Sequence, residues 1–147
     1  MANISDALKA KKYKLLLIIG RPGSGKSKYL NNYSEDKGIP ILDLDNILGK
    51  KIPDGKDANY VYGFIQGFIS TYKPEEILLD KKRILYQENS DIDLLDFLKE
   101  LSLQKTVITT WNGYTTPDGK LIHVQNAIGK TKEYDLASID CAYIELK

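Results

Sequence analysis

The residues most able to do chemistry lie together near the N-terminus. Gly20, Arg21, Pro22, Gly23, Ser24, Gly25, Lys26 and Ser27 follow the pattern G-x-x-x-x-G-K-[ST]. Glycine lets the backbone curl until successive N–H groups face a common centre, and a side chain at Gly23 or Gly25 would fill that hollow. A helix beginning directly afterwards adds the partial positive charge of its N-terminus. Lys26 supplies a point charge suited to the β- and γ-phosphates of a nucleotide. Ser27 offers a hydroxyl ligand to Mg²⁺, whose other ligands would be phosphate oxygens and water. The phosphate-holding set therefore runs from Gly20 to Lys28, the second residue of the expected helix turn. A chain of this length meets the pattern by chance on the order of one time in two hundred. The plain alternative is a glycine-rich strand-to-helix turn with an incidental lysine.

A hydroxyl ligand to magnesium needs a carboxylate beside it. Asp80 closes the apolar run Ile77, Leu78 and Leu79, and strand ends are where ligands gather in open α/β sheets. Ser27 and Asp80 are accordingly the expected metal ligands, with Lys26 and Asp80 expected to act in catalysis. A capping aspartate is the alternative at position 80. Asp43 and Asp45, after the preceding strand, and Glu88, after Asp80, are candidates for a catalytic acid.

These residues need elements to position them. Leu15 to Ile19 is a continuous apolar run ending at Gly20, which reads as a strand buried on both faces. A short helix over 27–33 follows, then a strand over 39–44 and a lysine-rich loop over 49–57. Ala58, Val61, Ile65, Phe68 and Tyr72 share one face of a helix over 58–72. Gly63 and Gly67 inside it either admit close packing of another element or weaken the helix by about 1 kcal/mol each relative to Ala. Ile77 to Leu79 is a third strand. Ser90 reads as the N-cap of a helix that buries Leu94, Leu95, Leu98 and Leu101. Thr106 to Trp111 is a fourth strand. Pro117, Asp118 and Gly119 mark a hairpin turn between Tyr114 and Ile122, and 142–146 is a last strand. Strands alternating with helices predict a three-layer α/β fold, with a mainly parallel five-stranded sheet plus a C-terminal hairpin. One domain spans 1–147, and residues 1–13 form a basic N-terminal extension.

Composition narrows the chemistry. The chain has 147 residues, with 21 Lys and Arg against 20 Asp and Glu, for a net charge of +1. That balance opposes a strongly basic nucleic-acid coat. Only Arg21 and Arg83 are arginines, so repeated bidentate phosphate clamps lack parts. A single cysteine, Cys141, cannot form an internal disulfide, and with a single histidine, His123, it excludes Cys/His metal cages. His123 reads as a solvent-facing residue of the hairpin, and Cys141 as a buried thiol. Lys50, Lys51 and Lys56 read as a solvated loop, so any DNA contact is expected to be indirect. The longest apolar run is too short for a membrane span or a signal-peptide core, which points to a cytoplasmic protein with no membrane partner.

Together the loop and the order of strands resemble the P-loop NTPases of the additional-strand class, including the AAA+ group. In that class the strand after the one bearing the magnesium aspartate lies beside the loop strand and carries a polar sensor residue. The resemblance puts Thr109 or Thr110 in that place, with Thr110 favoured as a catalytic residue. Many AAA+ proteins have Glu directly after the aspartate, where this chain has Lys81. More closely, the chain is similar from about Leu15 to Leu146 to the BrxF family of BREX phage-defence systems. The likeness rests on GRPGSGKSKYL, on ILLD ending in Asp80, on LLDFLKELSLQKTVITTWNG, and on the segment from Gly119 through Tyr134 and Asp135. It implies an ATPase-like module without the helical lid of full AAA+ proteins, using ATP and Mg²⁺. It also implies other BREX defence proteins as partners and a homo-oligomer formed on nucleotide binding. No arginine follows Arg83, and Lys130 or Lys132 would be weak substitutes for an arginine finger, so hydrolysis is expected to depend on a partner. Two rivals remain open: a small-molecule or polynucleotide kinase with Asp43 or Asp45 as acceptor base, and a nucleotide-gated scaffold that does not hydrolyse.

Overall fold

The computed structural model describes residues 8, 12–49, 58–81, 93–125 and 129–146, with side chains omitted at 47–49 and 58–62. Lys50, Lys51, Lys56, Arg83, Glu88, Ser90 and most of the N-terminal extension lie outside the described residues, as do the side chains of Ala58 and Val61.

The run of apolar residues beginning at Leu15 becomes strand β1 (Leu15–Gly20), every residue of which is buried. It is central. Strands β2 (Ile41–Asp43), β3 (Glu76–Asp80), β4 (Thr106–Thr115) and β7 (Ala142–Glu145) complete a parallel array in the order β2-β3-β4-β1-β7. Parallel strands covered on both faces explain why β1 and β3 lack polar alternation. Strands β5 (Lys120–Val124) and β6 (Thr131–Asp135) add to β4 as an antiparallel extension, β4 to β5 to β6.

Helices cover both faces. Helix α1 (Lys26–Lys37) sets Leu30 and Tyr33 against Leu16, Ile18, Leu78 and Ile108 on one side. Helices α3 (Ala58–Ser70) and α4 (Leu94–Ser102) set Ile65, Ile69, Phe97 and Leu98 against Leu15, Leu17, Ile19, Leu79 and Val107 on the other. Each such side chain contributes roughly 1.5–3 kcal/mol relative to exposure, an upper estimate. The expected α/β fold with a mostly parallel sheet is thus present. Among the described residues, no helix is long and apolar enough to cross a membrane.

Several boundaries differ from the sequence reading. The strand expected over 39–44 is only Ile41–Asp43, because Asp43 turns its carboxylate onto the Asn46 N–H and starts the short helix α2 (Leu44–Gly49). Helix α1 continues to Lys37 and stops at Gly38, which takes the left-handed conformation. Helix α4 is capped by Asp93, whose side chain accepts the Leu95 N–H. The fourth strand does not end at Trp111: it runs on to Thr115, and the expected hairpin is a three-stranded unit that precedes β7. At Gly63 and Gly67 no atom of the described residues comes within 4 Å of where a Cβ would sit.

Candidate functional site

The site is built at the carboxyl ends of β1, β3 and β4. Its first half is the turn from β1 into α1. Gly23 (φ 83°) and Gly25 (φ 97°) adopt left-handed backbone, which glycine enters without steric cost. Inside the turn the Ser24 N–H donates to the Arg21 carbonyl at 3.0 Å, and Lys26 Nζ donates to the same oxygen at 2.9 Å. Gly25 caps α1 without a side-chain hydrogen bond, so the N–H groups of the first turn have no side-chain acceptor at the cap. Gly20 is buried, and a Cβ there would meet Ser24 Oγ at 2.1 Å. Burial lowers the proton affinity of Lys26, and the charge of Asp80 opposes that shift.

The second half comes from β3 and β4, of which β4 pairs with β1. Asp80 Oδ2 accepts the Ser27 hydroxyl at 2.9 Å, and Asp80 Oδ1 accepts the Thr110 hydroxyl at 2.9 Å. The Lys81 N–H also donates to Asp80 Oδ1 at 2.9 Å. Lys81 has φ 44°, an uncommon conformation for a residue with a side chain, and it follows Asp80 directly. Asp80 can reach both hydroxyls because β4 lies between β3 and β1 in the sheet. Alternation along β4 then separates the two threonines. Thr110 meets Asp80, whereas Thr109 is wholly buried and donates to the Leu79 carbonyl at 3.1 Å.

Thus Lys26, Ser27, Asp80 and Thr110 are brought together, within one turn and two adjacent strand ends. Pro22 and Lys28 lie exposed on the same turn and first helical residues. Arg21 turns outward, its guanidinium 4.2 Å from the centre of the Tyr114 ring. Asp43 is next to Asp80 in register, but its carboxylate is engaged by Asn46. Lys132 is 3.3 Å from Asp93 in an ion pair, away from these residues in the contacts seen.

His123 departs from expectation. It is 1% exposed, with its ring 4.7 Å from that of Trp111, because β5 folds back onto β4 and covers it. Cys141 is buried as expected. Sequence reasoning missed Asn112 and Tyr114. Asn112 lies opposite Gly20 in register and donates to the Val124 carbonyl at 3.1 Å; its buried Oδ1 has no hydrogen-bond partner among the described residues. The two-residue spacing of Thr110, Asn112 and Tyr114 would have flagged both, had β4 been read beyond Trp111.

Chemically, a lysine, a serine hydroxyl and a carboxylate at a glycine-shaped helix start suit an anion and a hard divalent cation together. Among the described residues no group of three or more His, Cys, Asp or Glu could hold a metal. A cavity of about 660 Å³ lies at the opposite ends of the strands, lined by Lys12, Lys14, Lys37, Glu75 and Leu103 among others, and does not include these groups. Comparison with protein-family models, with curated proteins and with solved structures gives no match.

Proposed function

We propose that this chain is a P-loop NTPase module that binds ATP with Mg²⁺ on residues 20–28. We assign it to a BREX-type phage-defence assembly as an ATP-hydrolysing component, with hydrolysis dependent on oligomerisation or on a partner protein. The observation that carries the reading is the 2.9 Å contact between Ser27 Oγ and Asp80 Oδ2, made by residues 53 positions apart. A hydroxyl and a carboxylate are the two protein oxygens that magnesium needs when phosphates and water supply the rest. The placement of β4 between β3 and β1 supports the additional-strand assignment.

In this reading Ser27 and Asp80 would hold the metal, which supplies charge neutralisation at the phosphates. Lys26 exchanges the Arg21 carbonyl for phosphate oxygens. The loop amides and the start of α1 bind and orient the phosphate tail. Thr110 holds the Asp80 carboxylate in place through Oδ1. Lys81 follows Asp80 directly, where many AAA+ proteins carry a glutamate, and we assign the orienting of water to a neighbouring subunit or partner.

Lys81 also favours one rival, a nucleotide-gated scaffold that binds without hydrolysis. The kinase reading has Asp43 or Asp45 as acceptor base; of these, Asp43 accepts the Asn46 N–H at the start of α2. Titration calorimetry with ATP and Mg²⁺, followed by phosphate-release assays alone and with candidate BREX partners, tests the ATPase and the scaffold readings. Binding that Lys26→Ala weakens about a hundredfold, with phosphate released only in the presence of a partner, is expected. Failure of the unaltered protein to bind ATP overturns the reading. Rapid release by the isolated chain overturns the dependence on a partner, and partner-independent binding with no release under any condition selects the scaffold.

A further inference from the structure

The β4–β5 hairpin carries a contact that neither the phosphate turn nor the metal half explains. Tyr114 lies on β4 beyond the end of β1, and its ring meets the Arg21 guanidinium at 4.2 Å. The Arg21 carbonyl is the acceptor of both internal bonds of the turn, from the Ser24 N–H and from Lys26 Nζ. A contact that restrains the Arg21 side chain therefore acts on the residue whose carbonyl the turn is folded around. Tyr114 itself stands on a stiff support. A Cβ on Gly113 would come within 1.9 Å of the Ile122 carbonyl, so the two strands cross at contact distance. Trp111 Nε1 donates to that same carbonyl at 3.1 Å. Thr115 donates from its N–H (3.1 Å) and its hydroxyl to the carboxylate of Glu145 on β7, which lies on the far side of β1. The hairpin is thus tied to both neighbours of the strand that feeds the turn.

We propose that Tyr114 is a positioning residue for nucleotide binding: by stacking on Arg21 it orders the turn before ligand arrives. The inference rests on the ATP-binding reading above. Its physical basis is preorganisation, in which an ordering cost met in the free protein is not charged again on binding. A partly exposed cation–π contact has the strength to change affinity about fivefold.

The test is a double-mutant cycle on ATP–Mg²⁺ affinity, using Tyr114→Ala, Arg21→Ala and the pair, with Tyr114→Phe as the conservative variant. Tyr114→Ala is expected to weaken binding about fivefold. Tyr114→Phe keeps the ring and is expected to retain affinity. In the Arg21→Ala background, removal of the Tyr114 ring should add nothing, because the partner is already gone. A general loss of stability would instead persist in that background and would be lost in neither arm, which overturns the proposal. Unchanged affinity in Tyr114→Ala overturns it as well. Failure of the unaltered protein to bind ATP is a different result: it removes the underlying reading and is seen before any variant is compared. Should Tyr114→Ala not fold, Tyr114→Leu, which keeps bulk but removes the aromatic face, takes its place in the cycle: a loss present alone and absent in the Arg21→Ala background supports the stacking role, and no loss, or the same loss in both backgrounds, refutes it.

Discussion

The turn over 20–27 and the β4–β5 hairpin both depend on glycine, for opposite reasons. At Gly23 and Gly25 the requirement is torsional: φ is positive, and nothing lies within 4 Å of where a Cβ would sit. At Gly113 the requirement is spatial: φ is unremarkable, but the Ile122 carbonyl lies 1.9 Å from the Cβ position. At Gly23 and Gly25 nothing among the described residues stands where a side chain would go. The hairpin is packed to contact, as a support must be. The contrast separates glycines needed for their torsion from a glycine needed for the space it leaves.

Four measurements break or sharpen that contrast. Gly113→Ala should cost the most, about 3 kcal/mol in urea unfolding, because backbone must move to admit one methyl group. Gly23→Ala should cost only about 1 kcal/mol, the penalty of left-handed backbone; equal losses at the two sites would erase the distinction. Next, Lys26→Ala should lower ATP–Mg²⁺ affinity about a hundredfold, or about 2.7 kcal/mol, while leaving the unfolding free energy within about 0.5 kcal/mol. A comparable loss of stability would place Lys26 in the framework.

Third, Asp93→Asn should destabilise the link between α4 and β6 by about 1 kcal/mol at pH 7. Burial pushes the Asp93 carboxyl up, but the Tyr134 hydroxyl at 2.6 Å and Lys132 at 3.3 Å outweigh it and hold the group below its usual range. A carboxyl with a depressed folded value contributes stability above its unfolded value of 3.8 and loses it as pH falls through the folded value. The difference between variant and parent should therefore be present at neutral pH and vanish in acid, as followed by urea unfolding across pH. A constant difference would show that packing, not the charge, is lost. Smallest of all, Gly67→Ala should raise stability by about 0.5–1 kcal/mol, since that helix glycine has neither a positive φ nor a neighbour in the way. A loss there would mean that the open face of α3 is covered in solution.

Much of the architecture was legible because it depends on local pattern. Leu15 to Ile19 could only be a strand covered on both faces, and Leu94, Leu95, Leu98 and Leu101 form the expected buried face of α4. Legibility failed where long-range pairing overrides local signals. Residues 131–135 (Thr, Lys, Glu, Tyr and Asp) are mostly polar and exposed and give no strand signal alone; they form β6 because β5 offers an edge. His123 looked like a polar turn residue, yet pairing of β5 with β4 seals it against Trp111.

For the candidate site, the chemistry of each residue was written in its type and spacing. Glycine alone enters positive φ freely, lysine alone gives a compact cation, and serine with aspartate gives hard oxygens, whatever surrounds them. Which threonine meets Asp80, and that Tyr114 meets Arg21, depended on strand order and on how far β4 continues. Those facts concern residues brought together across the sheet, and no local rule along a chain contains the distance between two strands.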